Sequence, residues 1–277
     1  ALSCSGAVYQ GVFRNPLVSP DILGVSAAAS FGAALAILLS GAFSPLVPSL
    51  AFGMGILGVL LAYTLARVKG MTPTIMLVLS GVVVSSIFNA GVSIMKYLAD
   101  PEDDLPAITF WLMGSLSGMR WENLAFAAPI IVAGLAVLMV ITWQLNLLTM
   151  GDAEARSLGA NAQRTRLIAI VCATAMTATA VSQSGAIGWV GLVIPHMARI
   201  LVGPDHRKLV PIAAVLGAAF LLTIDSLTRT VSESSLPLSI PTALVGAPFF
   251  AILLRRSKGV WTRCCLLYTS PSPRDRQ

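Results

Sequence analysis

Eight long apolar stretches divide the sequence, and they constrain the fold more than any other feature. The hydrocarbon core of a bilayer is about 30 Å thick, so a helix needs roughly 20 mostly apolar residues to cross it. After a shorter apolar segment at 1–13, the stretches lie at about 22–40, 45–66, 73–95, 124–145, 167–185, 186–202, 209–228 and 238–254. The sequence therefore predicts an all-α, polytopic membrane helical bundle.

The composition excludes the other broad classes of protein. Only 11% of the residues are charged and 56% are hydrophobic, whereas a soluble domain carries about 25% charged residues. Aromatic residues make up 7% of the chain, which also contains 23 glycines. This combination favours closely packed helices over an outer-membrane barrel with its aromatic girdles.

Both ends of the sequence differ from the rest. Residues 1–13 are apolar but too short to cross a bilayer, and we interpret them as the remainder of a truncated helix. After Trp261 the composition changes abruptly, and residues 262–277 carry a Cys pair and two Ser-Pro steps. We interpret 262–277 as read-through from cloning or sequencing. The predicted membrane domain is therefore 1–261.

The basic residues fix the predicted orientation. Loops that hold Lys and Arg face the cytoplasm, and alternating the spans places twelve basic residues on one side and three on the other. This count requires 167–185 and 186–202 to be separate spans. The net charge of +6 is therefore explained by the orientation of the chain in the membrane, and we predict no nucleic-acid partner. The twelve are Arg14, Arg67, Lys69, Arg156, Arg164, Arg166, Arg199, Arg207, Lys208, Arg255, Arg256 and Lys258, and the three are Lys96, Arg120 and Arg229.

Catalytic and metal-binding motifs are missing from the sequence. It has no phosphate-binding G-x-x-x-x-G-K-S/T loop and no H-E-x-x-H, and His196 and His206 are isolated. The four cysteines show no ligand or disulfide spacing. Only Asp225 lies well inside an apolar stretch, although ion-coupled carriers normally need more such groups. We therefore predict no catalytic residue, metal or cofactor in this chain; an ion-coupled secondary transporter and a membrane-embedded enzyme are the alternatives.

A polar stretch at 147–166 predicts a small elbow on the cytoplasmic face. Asp152 can cap a short helix over 153–158 through its carboxylate, and Gly159 suits a left-handed helix stop. Asn161 can then start a second short turn. An ordinary solvated loop is the alternative, but the Ala and Leu content leaves an exposed apolar side, which favours a partner protein.

Two further segments are unusual. The sequence RNPLVSPDILG at 14–24 predicts a rigid, non-helical connection at the cytoplasmic surface. The sequence SGAIGWVGLVIPHMAR at 184–199 contains Gly185, Gly188 and Gly191, which allow close approach of backbones.

Together these strings resemble one family. RNPLVSPDILGVS, FWLMGSLSGMRW (110–121), GDAEARSLG and SGAIGWVGLVIPHMAR followed by GPDHR (203–207) resemble FecCD-type permeases of ABC importers for iron–siderophore complexes, haem and vitamin B12. The resemblance covers residue 1 to about 261. It implies ten spans per subunit, of which this chain lacks the first and part of the second.

The resemblance also implies roles for individual residues. A site that couples the chain to the ATPase matches Gly151, Asp152, Ala153, Glu154, Ala155, Arg156, Leu158 and Gly159. A cytoplasmic gate matches Asn15, Leu17, Met71 and Thr72. Arg229 matches an arginine that docks the substrate-binding protein, and an intrahelical Asp225–Arg229 pair is the alternative. His196 receives no role.

The implied assembly consists of several chains. A pair of ABC ATPase subunits would carry ATP and Mg²⁺, and a periplasmic or lipid-anchored binding protein would deliver the ligand. A second permease subunit, identical or different, would complete the path in the bacterial cytoplasmic (inner) membrane, in contact with lipid. The identity of the ligand, whether a siderophore, haem or vitamin B12, remains open at this point.

Overall fold

The computed structural model describes residues 1–67, 72–231 and 236–266, and all regular secondary structure there is helical. Met71 therefore lies outside the described residues. The helices in chain order are α1 (Leu2–Val12), the 3₁₀ helix η1 (Pro20–Leu23), α2 (Val25–Ser40), α3 (Leu46–Ala66), α4 (Thr74–Leu98), α5 (Asp104–Met113), α6 (Trp121–Val140), α7 (Thr142–Met150), α8 (Asp152–Ser157), α9 (Ala162–Ser184), α10 (Val190–Val202), α11 (His206–Val231) and α12 (Ser239–Leu266).

The predicted all-α membrane bundle is confirmed. The described residues contain five helices that are long and apolar enough to cross a membrane, namely α3, α4, α6, α9 and α11, while α2, α10 and part of α12 are shorter apolar helices. The predicted stretch 124–145 is wrong in one respect, because α6 ends at Val140 and a new helix begins at Thr142. The total of ten spans and the domain limit at 261 stay predictions; α12 continues to Leu266.

Helix α9 forms the centre of the bundle, where it packs against α1, α3 and α6. Its buried face carries small residues such as Ala169 and Ala173, which let neighbouring backbones approach. The Tyr9 hydroxyl of α1 lies 2.8 Å from the Thr174 hydroxyl, and the Ser5 hydroxyl donates to the Ala173 carbonyl at 3.0 Å. These bonds satisfy polar groups that the membrane would otherwise leave without partners.

The stretches 167–185 and 186–202 form separate helices, as the orientation requires. α9 ends at Ser184, residues 185–189 are not helical, and α10 begins at Val190. Gly185 has φ of +71°, and a Cβ there would lie 2.3 Å from the Trp111 carbonyl oxygen. Glycine is therefore required at this break.

The segment 14–24 folds inward and contains η1, so its prediction as a non-helical surface connection is wrong for its second half. Pro20 and Leu23 are buried, and a Cβ added to Gly191 would lie 2.4 Å from Pro20 Cδ. A Cβ on Gly6 of α1 would lie 1.8 Å from the Gly191 carbonyl oxygen. The predicted close approach thus occurs at Gly185 and Gly191, whereas Gly188 has open space around it.

A polar cluster joins α7 to the start of α11. The Asn146 side chain donates to Asp205 at 2.6 Å and accepts the backbone N–H of His206 at 2.9 Å. The backbone N–H of Arg207 and the Asn146 amide hold the pKa of Asp205 below its ordinary value. α7 leads directly into the predicted elbow, so this cluster attaches one side of the elbow to the bundle.

Candidate coupling and transport site

The predicted elbow consists of α8 and its two flanking glycines. Gly151 precedes the helix with φ of +134°, and Gly159 follows it with φ of +82°, as expected for a left-handed stop. The predicted cap is wrong: Gly151 occupies the N-cap position, and the Asp152 carboxylate binds Arg166 instead, at 2.8 and 2.9 Å. A guanidinium held by both carboxylate oxygens outcompetes a single bond to a backbone N–H.

One side of α8 faces outward. Ala155 is fully buried and anchors the helix, while Ala153, Glu154 and Arg156 are exposed. Leu158 is 59% exposed, so the predicted apolar side is present on the surface. An open cleft of about 400 Å³ lies beside it, lined by Arg156, Gly159, Ala160, Asn161, Ala162 and Gln163.

Asn161 separates the elbow from the central helix. Its side chain accepts the backbone N–H of Arg164 at 3.0 Å, which caps the first turn of α9. Asn161 therefore starts a long helix rather than the short turn expected from the sequence. The elbow is thus joined directly to α9, the most buried of the five candidate membrane spans in the described residues.

The predicted gate residues that the structure describes lie on two neighbouring segments. Asn15 is exposed and its side chain accepts the backbone N–H of Leu17 at 2.9 Å, while Leu17 is half exposed and Thr72 is buried. A cavity of about 330 Å³ separates the Asn15 loop from the first turns of α4 and is lined by Phe13, Asn15, Val18, Thr74, Ile75, Val78 and Leu79. Of the predicted gate residues that the structure describes, Asn15 lines this cavity, whereas Leu17 and Thr72 are not among its lining residues.

Sequence reasoning treated Arg166 only as a cytoplasmic charge and missed its contacts. Its guanidinium is buried, and besides Asp152 it donates to the Thr72 carbonyl at 3.5 Å. A signal was present, because Arg166 lies four residues after Ala162 and three before Ala169, on the buried face of α9. A charge at such a position needs a specific partner.

Helix α4 carries a polar stripe on its exposed face. Ser86, Asn89 and Ser93 are spaced three and four residues apart and all are exposed. The two serine hydroxyls donate to carbonyls of their own helix at 2.8 and 3.0 Å. An exposed Asn is unfavourable against lipid tails, so this face is suited to water or to another polypeptide.

At the other end of the bundle, Arg229 and Asp225 form an ion pair. Arg229 Nε lies 2.8 Å from Asp225 Oδ2, and about half of the Arg229 side chain is exposed. The intrahelical alternative is therefore present in the structure. The docking role of Arg229 stays a prediction, and so do the coupling and gate roles.

These features define a class of protein. The long apolar helices define a polytopic membrane protein, and the exposed elbow is suited to contact with a partner protein. Comparison with known proteins identifies the family to which the chain belongs. The FecCD transport family matches residues 1–256, so the chain belongs to the FecCD transport family.

Individual relatives are similar over most of their length. The chain is 40% identical to the molybdate import system permease protein MolB of Haemophilus influenzae, covering 93% of this chain and 76% of the relative. It is 42% identical to the cobalamin import system permease protein BtuC of Halobacterium salinarum, over 92% and 68%. It is 39% identical to the Fe(3+) dicitrate transport system permease protein FecD of Escherichia coli, over 93% and 80%.

The fold also matches a solved structure. An inward-facing conformation of a metal-chelate type ABC transporter superposes with a TM-score of 0.86 at 39% identity, covering 92% of this chain and 81% of that chain. The chain is thus a permease subunit of an ABC importer and a multi-pass protein of the cytoplasmic membrane. The alternative of an ion-coupled secondary transporter has no support among these relatives.

Proposed function

We propose that this permease imports a metal chelate or a related ligand, with ATP hydrolysed on separate subunits docked at the elbow. The observation that carries the docking site is the exposure of Leu158, Ala153 and Glu154 on a short helix that is anchored by the buried Ala155. An apolar side chain ringed by exposed polar groups fits a protein groove. ATP and Mg²⁺ belong to the partner chains, and no cofactor is assigned to this one.

The polar stripe on α4 supports a path between two permease subunits. Ser86, Asn89 and Ser93 offer weak hydrogen-bonding partners without charge. Such groups allow a ligand to pass without being retained, because tight binding would slow its release. The same helix begins at the cavity beside Asn15, so one helix carries both the polar stripe and a wall of this cavity.

The range of cargoes carried by the relatives limits the proposed ligand. The relatives are named for molybdate, cobalamin and ferric dicitrate, which differ greatly in size but are all metal complexes or metal oxyanions. We therefore propose a metal-containing ligand, with an iron chelate as the first candidate. Selection among such ligands is assigned to a separate binding protein.

Uptake into membrane vesicles tests this function. Vesicles that hold the permease, its ATPase and a binding protein should take up a radiolabelled ferric chelate only when ATP is supplied. Dissipating the proton and sodium gradients with ionophores should leave uptake unchanged. Uptake that stops with the gradients and continues without ATP would contradict the proposal.

Arg229 is expected to contribute to docking of the binding protein. The change Arg229→Glu should reduce the stimulation of ATP hydrolysis by the loaded binding protein about tenfold, as expected for an interfacial charge pair. Hydrolysis in its absence should not change. The matched control is Asp225→Asn, which removes the intrahelical partner but keeps the arginine. Equal loss in both variants would show that the ion pair matters only within the helix.

A further inference from the structure

Arg166 joins the elbow to the start of α4, and this connection is separate from the docking surface itself. Its Nη2 donates to both oxygens of Asp152, at 2.8 and 2.9 Å. Its Nη1 donates to the carbonyl oxygen of Thr72, at 3.5 Å. One guanidinium therefore contacts the first residue of α8 and the residue two positions before α4.

The surroundings of Arg166 make this connection specific. The residue is only 5% exposed, and its Nε has no hydrogen-bond partner in the described part of the chain. A buried charge that loses its partner is strongly destabilising. Arg166 should therefore follow the Asp152 carboxylate when the elbow moves, because losing this contact would leave the buried guanidinium without its charged partner.

The Thr72 end of the connection leads to the transport surface. Pro73 follows Thr72 and occupies the N-cap position of α4, and Thr74 and Ile75 then line the cavity beside Asn15. Proline fixes its own φ and restricts the residue before it. The backbone between Thr72 and α4 therefore has little freedom to bend. A displacement of the Thr72 carbonyl should move the start of α4 as well.

We propose that Arg166 is a positioning residue that transmits movement of the ATPase-docked elbow to the gate end of α4. The proposal rests on the proposed function, since it requires an ATPase at the elbow. Arg166 touches neither ligand nor nucleotide. The spacing of its two terminal nitrogens is essential: Nη2 contacts Asp152 while Nη1 contacts Thr72, whereas the three donors of a lysine all share one nitrogen.

Coupling measured in proteoliposomes tests this proposal. The complete importer would carry Arg166→Gln or Arg166→Lys, and Arg164→Gln serves as the matched control because Arg164 is exposed two residues earlier. In both Arg166 variants the ATPase should still co-purify and hydrolyse ATP at close to the normal rate. Uptake of the ferric chelate per ATP hydrolysed should fall about tenfold, within the usual range of coupling between sites. Arg164→Gln should retain the normal ratio.

Three results would overturn the proposal. An unchanged ratio of uptake to hydrolysis in Arg166→Gln would remove the transmitting role. A normal ratio in Arg166→Lys would mean that the charge alone suffices and that the spacing of the two nitrogens is unimportant. Parallel loss of uptake and hydrolysis would assign Arg166 to docking or folding. Failure of the wild-type chain to bind an ATPase would instead reject the proposed function, so the two failures are distinguishable.

A distance measurement gives a second readout if Arg166→Gln fails to accumulate. Spin labels at Ser157→Cys and Ile75→Cys, both exposed positions, report the elbow and the start of α4 in a chain freed of its own cysteines. Each label would be paired with the same position in the second permease subunit. In the wild type, ATP should change both distances. In Arg166→Lys the Ser157 distance should still change and the Ile75 distance should not; a normal change at Ile75 would overturn the proposal.

Discussion

A chain carrying Glu154→Arg together with Gly159→Val is expected to reach the membrane at the normal level and to lose ATP-driven uptake. Both residues are exposed on the elbow, so the core is not disturbed. Gly159 has φ of +82°, a conformation that costs an L-residue about 1–2 kcal/mol, and valine should therefore rearrange the turn. The reversed charge alters the docking face as well. Together these changes should reduce uptake at least about tenfold, as expected for loss of an interface hot spot.

Gly41→Val is the matched control for the elbow variant. Gly41 has φ of +81° and, like Gly159, has open space around it, but it lies at the far end of α2. A valine is therefore strained at both positions because of their positive φ, whereas Gly41 is remote from the elbow. Membrane levels would be followed by immunoblotting and uptake with a radiolabelled ferric chelate. Normal uptake by the elbow variant would contradict the coupling assignment.

The change Gly6→Ala is expected to destabilise the fold strongly. A Cβ at this position would lie 1.8 Å from the Gly191 carbonyl oxygen and 2.7 Å from its carbon. These are backbone atoms and cannot rotate away, so α1 and α10 must separate. Overpacking commonly costs about 1–3 kcal/mol, and we expect the free energy of unfolding to fall by at least the upper end of that range.

Thermal unfolding in detergent measures this effect. Gly53→Ala provides the control, because Gly53 is also inside a helix and a Cβ there meets nothing within 4 Å. Alanine at that position should be neutral or slightly stabilising, since alanine is the better helix former. Equal melting temperatures for the two variants would show that α1 and α10 are not held in close contact.

The spans and the elbow were predictable because their signals are local. The run of apolar residues in α3 and α4 is sufficient to predict a membrane helix. Gly159 and Asn161 mark the ends of neighbouring helices through their own backbone chemistry. The resemblance of whole strings to the FecCD family supplied the remainder, including the roles of the elbow and the gate.

The contacts that were missed join residues distant in sequence. The Arg166–Thr72 bond spans 94 residues, and no local pattern reports it. Asp152 is a suitable cap by composition, yet a buried arginine offers its carboxylate a stronger interaction. The inward turn at Pro20 was also missed, because it depends on Gly6 and Gly191 being adjacent only in the folded chain.

Co-purification of subunits in mild detergent tests the central claim most directly. The chain would be isolated by an affinity tag, and the subunits that co-purify with it would be identified. The account predicts an ABC ATPase at a stoichiometry equal to the permease, and its loss from the Glu154→Arg, Gly159→Val chain. A well-folded permease that is recovered without an ATPase would contradict the account.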